Sequence, residues 1–152
     1  MKKKKESKKS WPTKDAMEQI YEMHLWGKNH SKFYSGIGSH APKIIDPYIS
    51  IVTAFLNSFN TPIIVCDLGC GDFNVGHRLV NFSKKYIAVD IASNLIIHNK
   101  EKFKNEKLEF QCLDIAEDEL PKGDCALIRQ VLQHLSNEED LKILNKLKAF
   151  KY

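Results

Sequence analysis

The stretch Ile63 to Gly76, I-I-V-C-D-L-G-C-G-D-F-N-V-G, sets an acid just ahead of a glycine pair. A buried strand that runs into a Gly-rich turn and then a helix start lets backbone approach a ligand closely, because Gly69 and Gly71 carry no side chain. That geometry suits a nucleoside cofactor. Asp67 bears on which one: a carboxylate two residues before Gly69 would repel the phosphates of a dinucleotide and would favour a ligand carrying an ammonium group. The dinucleotide fingerprint G-x-G-x-x-G is also incomplete, since Asn74 stands at the third glycine position and Gly76 is displaced by two residues. Asp90 ends the next apolar run, 19 residues after Gly71, where a carboxylate can accept both ribose hydroxyls. Asp114 follows a third run, in C-L-D-I, and can accept the exocyclic amine of adenine, with Ile91 and Ile115 offering apolar contact to ribose or base. Three carboxylates at three consecutive strand ends make a nucleoside-plus-ammonium site.

Such residues need strands that end side by side. Ile63 to Leu68, Tyr86 to Val89, Leu108 to Cys112 and Cys125 to Arg129 read as short buried strands. Between and after them the pattern predicts helices over Val75 to Phe82, with Val75, Leu79 and Phe82 inward, and over Ser93 to Phe103, with Leu95, Ile96 and Phe103 inward. Ser136 and Glu139 form a capping box that opens a last helix with Leu141, Leu144 and Leu147 at three-residue spacing. The order predicts an α/β fold, a Rossmann-like, mostly parallel sheet with helices on both faces and right-handed crossovers. Ligands bind such sheets beyond the carboxyl ends of the strands, at the switch point. Upstream, Thr13 caps a helix carrying Met17, Ile20 and Tyr21. Asp46 and Pro47 are the cap and first turn of another, with Tyr48, Ile49, Val52, Phe55, Leu56 and Phe59 on one stripe. Phe33 to His40, rich in Gly and Ser, reads as a connecting loop; closure over a cofactor, together with Trp26 and Tyr34, is the alternative reading. The chain divides into a basic tail over 1–12, a helical segment and loop over 13–62, and the ligand-binding core over 63–152.

Composition excludes several classes. The 152 residues are 43% hydrophobic and 28% charged, which suits one compact domain. No apolar run reaches the roughly 18 residues needed to span a bilayer, and no apolar segment follows the basic start as in a secretory signal, so a cytoplasmic protein with no membrane partner is expected. The net charge of +4 is concentrated in the tail: residues 1–10 hold six Lys and one Glu, and the remainder carries 17 basic against 18 acidic groups. A short Lys-rich terminus is more often a solubilising tail than a nucleic-acid arm. Cys66, Cys70, Cys112 and Cys125 form no C-x-x-C pair and read as buried thiols, with no metal expected.

In this order the motifs resemble those of the class I S-adenosylmethionine-dependent methyltransferases, whose Rossmann-like sheet has seven strands. D-L-G-C-G, Asp67 to Gly71, resembles the glycine motif D-x-G-x-G of that family; Y-I-A-V-D, Tyr86 to Asp90, its second-strand acid; and C-L-D-I, Cys112 to Ile115, its third-strand acid. Gly123 to Leu135 resembles its fourth strand and the short helix that follows. The resemblance covers about residues 45 to 150. It implies S-adenosylmethionine as cofactor, with Asp67, Gly69, Cys70 and Gly71 around the methionine part, Asp90 on the ribose hydroxyls, Asp114 on the adenine amine, and Arg129 beside the reactive methyl. Phe73 stands where many members have a third Gly, and is expected to narrow the space over the methionine part. The chain ends as a fifth strand would begin, so an incomplete sheet with an exposed fourth strand, open to self-association, is expected.

His134 is the candidate general base, against a structural packing role, and Arg129 a candidate active-site residue, against pairing with nearby acids. The expected acceptor is a small molecule, with an RNA or protein acceptor left open. A nicotinamide-dependent oxidoreductase and a non-catalytic nucleoside-binding fragment are the rival readings.

Overall fold

The computed structural model describes residues 12–28 and 31–152; all of the basic tail except Pro12 lies outside them. The main elements are α1 (Thr13–Glu22), α2 (Pro42–Asn57), β1 (Ile64–Leu68), β2 (Lys85–Asp90), α3 (Ser93–Lys102), β3 (Leu108–Cys112), β4 (Cys125–Leu127) and α4 (Asn137–Leu147). The strands form one sheet in the order β3-β2-β1-β4, with every pairing parallel. The chain steps outward from β1 through β2 to β3 and then crosses back to the far side of β1. The switch point therefore lies between β1 and β4. On the outer edge of β4, Tyr152 donates to Asp124 O and accepts from Ala126 N, at 3.0 and 2.9 Å. Those two bonds make a parallel bridge beside Cys125, so this stretch of the expected open edge is paired.

Alternation along the strands splits the core into two faces. Val65, Tyr86, Ala88, Phe110 and Cys125 pack with Ile45, Ile49, Val52 and Leu56 of α2 and with Phe73 and Leu79. Cys66, Leu68, Ile87 and Val89 pack on the other face with Ile115 and Ile143.

Four local expectations are corrected. Helix α2 starts at Pro42, not at Asp46 and Pro47: Pro42 takes the first helical position, where its missing N–H costs nothing, and Pro47 sits inside the helix. Asp46 instead pairs with Arg78 at 2.8 Å. Residues 75–82 form no α-helix but two consecutive 3-10 turns, Gly76–Arg78 and Val80–Phe82, in a segment whose Gly and β-branched residues have weak α-propensity. Thr13 is the first residue of α1, after a Pro12 cap, and its hydroxyl goes to Glu139 Oε1 at 2.5 Å. On α4 the capping box forms as expected, but Leu141 and Leu144 are exposed and Ile143 is the fully buried residue. Three-residue spacing drifts around a 3.6-residue helix, whereas Ile143 and Leu147, four apart, share a face.

Candidate active site

A cavity of about 550 Å³ opens over the carboxyl ends of all four strands, within the size range of small-molecule sites. Its floor is the Gly-rich turn after β1. Gly69 N and Cys70 N both donate to Val89 O at 2.8 Å, which locks the turn to β2. Gly69 and Gly71 adopt φ of 91° and 57°, the left-handed region open to glycine. There is no room for side chains either: a Cβ on Gly69 would collide with Val131, and one on Gly71 would lie 2.5 Å from Ser35 Oγ.

The three predicted acids all line this cavity. Asp67 Oδ2 accepts from the Tyr86 hydroxyl at 2.9 Å. Burial pushes its carboxyl up to about 6, against the opposing effect of that hydrogen bond. Asp90 is 6% exposed; its Oδ2 accepts from Gly71 N at 3.0 Å and its Oδ1 from Ala92 N at 3.1 Å. Burial raises its pKa as well, against those backbone bonds. Asp114 Oδ1 accepts from Ala116 N at 2.9 Å and Glu117 N at 3.3 Å, which closes the turn after β3; its Oδ2 makes neither bond. Ile91, Ile115 and Cys70 line the same cavity. Burial holds the Cys70 thiol well above its usual range, so it stays a neutral wall.

Phe73 does not reach the cavity. Its φ of 62° turns the ring into the core, where it is fully buried against Tyr86, Phe103 and Phe110, with ring centroids 4.9 to 5.8 Å apart. The expectation that it narrows the ligand space is therefore corrected: backbone suited to glycine is kept while the side chain leaves the site.

The roof comes from residues upstream of β1. Met17 and Tyr21 of α1, Trp26, and the strap from Ser35 to Ser39 line the cavity from above. Asp72, which sequence reasoning missed, joins roof to floor. It is 7% exposed, and its Oδ2 accepts from Ser35 N at 2.9 Å and faces His40 Nε2 at 2.6 Å. Its own N–H donates to Ser35 Oγ at 2.8 Å, and Tyr21 Oη lies 3.0 Å from the same hydroxyl. Asn74 adds a bond from Nδ2 to Ser39 O at 2.7 Å. Asp72 carried no signal of its own, because Ser35 is 37 residues away; the reading of Phe33 to His40 as a closing loop was the nearest clue.

Arg129 stands in the cavity wall just past β4, but it forms no ion pair with an acid among the described residues. Its Nη2 donates to Gly38 O, its Nη1 lies 3.4 Å from Ser39 Oγ, and its guanidinium sits 5.2 Å from the Tyr48 ring centroid. His134 also lines the cavity, with its ring 5.3 Å from that of Trp26. No group of three or more His, Cys, Asp and Glu able to hold a metal ion occurs among the described residues, and no described helix is long and apolar enough to cross a membrane.

An open parallel sheet with its cavity at the switch point, floored by a Gly-rich turn, defines a Rossmann-like ligand-binding α/β domain. A family model described as a methyltransferase domain matches residues 65–150, and the chain belongs to that family. None of the curated proteins searched matches it. Among solved structures it is similar to magnesium protoporphyrin IX methyltransferase (ChlM) from Synechocystis PCC 6803 with bound SAM, with a TM-score of 0.68, 16% identity, and coverage of 95% of this chain and 74% of that one. It is also similar to phosphoethanolamine N-methyltransferase 1 from Haemonchus contortus, with a TM-score of 0.66, 15% identity, and coverage of 91% and 30%. The [4+2]-cyclase SpnF is a third, with a TM-score of 0.52, 18% identity, and coverage of 66% and 41%. At these identities the likeness is one of fold.

Proposed function

We propose that the chain binds S-adenosylmethionine and transfers its methyl group to a small-molecule O or N acceptor. One observation carries this reading: three carboxylates at consecutive strand ends line one cavity around the Gly-rich turn. Ionised carboxylates only accept hydrogen bonds, so the set fits a ligand that presents hydroxyls, an amine and an ammonium, and it repels a pyrophosphate. Bound S-adenosylmethionine supplies a sulfonium methyl that is already activated.

The chain's own residues bind, orient and exclude water. Gly69, Cys70 and Gly71 give backbone access to the methionine part, and the negative charge of Asp67 attracts its ammonium. Asp90 keeps lone pairs for two ribose hydroxyls beyond the backbone bonds that aim it, and Asp114 offers Oδ2 to the adenine amine between Ile91 and Ile115. Arg129 acts on the strap, tying it over the cavity, instead of on the methyl. Closure of the strap excludes water and holds donor and acceptor in line, which is where most of the rate gain in such a displacement arises. A base is needed only for a protonated acceptor, and His134 is the cavity-lining group suited to that role.

Calorimetric titration of the chain with S-adenosylmethionine, S-adenosylhomocysteine and NAD tests the reading. Saturable binding of the first two alone is expected, with at least roughly tenfold weaker binding in Asp90→Ala, the loss of a charge-assisted hydrogen-bond pair. Binding of NAD alone, or unchanged affinity in that variant, would sink it. Binding without methyl transfer is the second reading, favoured by the SpnF likeness, because one fold serves different chemistries; a screen of acceptors with labelled cofactor decides between the two.

A further inference from the structure

The turn after β3, which carries Asp114 and Ile115, directs its carbonyls at a single cation. Lys146, in the last turn of α4, donates from Nζ to Ile115 O, Ala116 O and Asp118 O at 3.2, 2.7 and 2.7 Å. An ammonium has three N–H donors, and here all three go to one turn. No carboxylate pairs with Lys146 among the described residues.

Within the turn the N–H groups of Asp114, Ala116, Glu117 and Asp118 are consumed internally. Glu117 N and Asp118 N donate to Asp114 O at 3.1 and 2.7 Å, Asp114 N donates to Asp118 Oδ2 at 2.8 Å, and Asp114 Oδ1 takes Ala116 N. The carbonyls that remain need a donor from elsewhere, and the segment from 113 to 124 has no regular ladder to supply one. Lys142, one turn earlier on α4, reaches no carbonyl of the turn and pairs instead with the exposed carboxylates of Glu117 and Glu138, at 2.8 and 3.2 Å.

We infer that Lys146 is a positioning residue for the adenine subsite: by gathering these three carbonyls it fixes the turn that aims the Asp114 carboxylate and the Ile115 side chain into the cavity. The inference rests on the assignment of Asp114 and Ile115 to adenine proposed above. A residue that only stabilised the fold would weaken every ligand alike. A residue that aims Asp114 controls recognition of the amine itself, because a site built to bond an N–H discriminates against the analogue that lacks it.

The test uses the 152-residue chain and calorimetric affinities for S-adenosylhomocysteine and for its analogue without the 6-amino group. The unmodified chain is expected to prefer the amine-bearing ligand. Lys146→Met is expected to lose roughly tenfold in affinity for it and to bring the two ligands close to equal, while Lys142→Met keeps the preference. Should Lys146→Met fail to fold, Lys146→Gln is read in the same way. Weakening of both ligands in equal proportion, or an equal effect of Lys142→Met, overturns the inference. Asp114→Asn separates its failure from that of the site: if the preference collapses there but survives in the Lys146 variants, Lys146 is not the positioning group and the subsite stands. If Asp114→Asn leaves the preference intact, the adenine assignment falls and the inference with it.

Discussion

The floor and the roof of the cavity are held by different kinds of bond. The floor belongs to a parallel ladder, and the side chains beneath it, among them Val65, Leu68, Tyr86 and Val89, are fully buried. The roof has a small apolar cluster of its own, in which Tyr21 and Phe33 meet Ala92 and Leu95. It is also held to the rest of the chain by ring contacts of Trp26 with His134 and of Phe33 with His98, and by polar side chains, among them Asp72 to the strap, Glu18 Oε1 to Ser93 Oγ at 2.8 Å, Thr13 to Glu139, and Arg129 to Gly38 and Ser39. Apolar burial is cooperative and roughly additive with area, whereas a few side-chain hydrogen bonds open one region at a time. The difference separates folding, which the floor controls, from closure, which the roof controls.

The largest effect is expected from a floor residue that never touches ligand. Phe73→Ala removes a fully buried ring from the aromatic cluster under the Gly-rich turn and is expected to cost about 3–5 kcal/mol of stability. Urea unfolding followed by circular dichroism checks this. A cost near that of a surface substitution would mean that the floor is not anchored through its core face.

The floor was also the part legible from sequence. Strand patterns, the Gly pair, the acids at strand ends and the Ser136 to Glu139 box are local signals, and each names its own position. Legibility failed where a long-range contact decides. Pro42 and Pro47 each qualify locally as a helix start, and packing of Ile45 into the core selects the earlier one. Phe73 looked like an obstruction because sequence does not report which way a left-handed residue points. Asp72 looked like any loop acid, since its partners, Ser35 and His40, lie in a different segment. Lys146 has the same blind spot.

Next in size is the junction of the two regions. Asp72→Asn keeps the shape but removes the charge that accepts from Ser35 N and faces His40, at a local cost of roughly 1–3 kcal/mol. Hydrogen exchange is expected to speed up over residues 33–40 and to stay unchanged over 64–68. Equal acceleration in both would break the separation of roof from floor.

A pH series sharpens the comparison from the floor side. With Asp67 pushed up to about 6, the folded chain holds that proton more tightly than the unfolded one. Its contribution to stability is therefore greatest below the usual carboxylate range and is lost as pH rises through about 6. A ligand ammonium favours the ionised acid, so affinity for S-adenosylmethionine should move the other way, rising by at most about tenfold per pH unit across that window. Titrations between about pH 5 and 7 read the slope, and Asp67→Asn should flatten it. An unchanged slope in that variant would remove Asp67 from the charge balance of the site.

The smallest effect is expected at the far end of the roof, where Thr13 reaches Glu139. Glu139 has two duties: its Oε1 accepts from Thr13, and its Oε2 accepts from Ser136 N at 2.8 Å in the box that starts α4. Burial pushes its carboxyl up, but the hydrogen bonds from Thr13 and Ser136 outweigh that and hold it below the usual Glu range. Thr13→Val keeps the shape of the side chain and deletes only the roof bond, at about 0.5–1.5 kcal/mol. Glu139→Ala deletes the cap as well and should cost more, since loss of a cap alone is worth about 1 kcal/mol. In the Glu139→Ala background Thr13→Val should then cost almost nothing further, because the bond it removes is already gone. Thermal unfolding of the four chains of this cycle measures the coupling. Full additivity would show that α1 rests on α4 without help from this bond, leaving Glu18, Asp72, Asn74 and Arg129 to tie the roof through polar contacts.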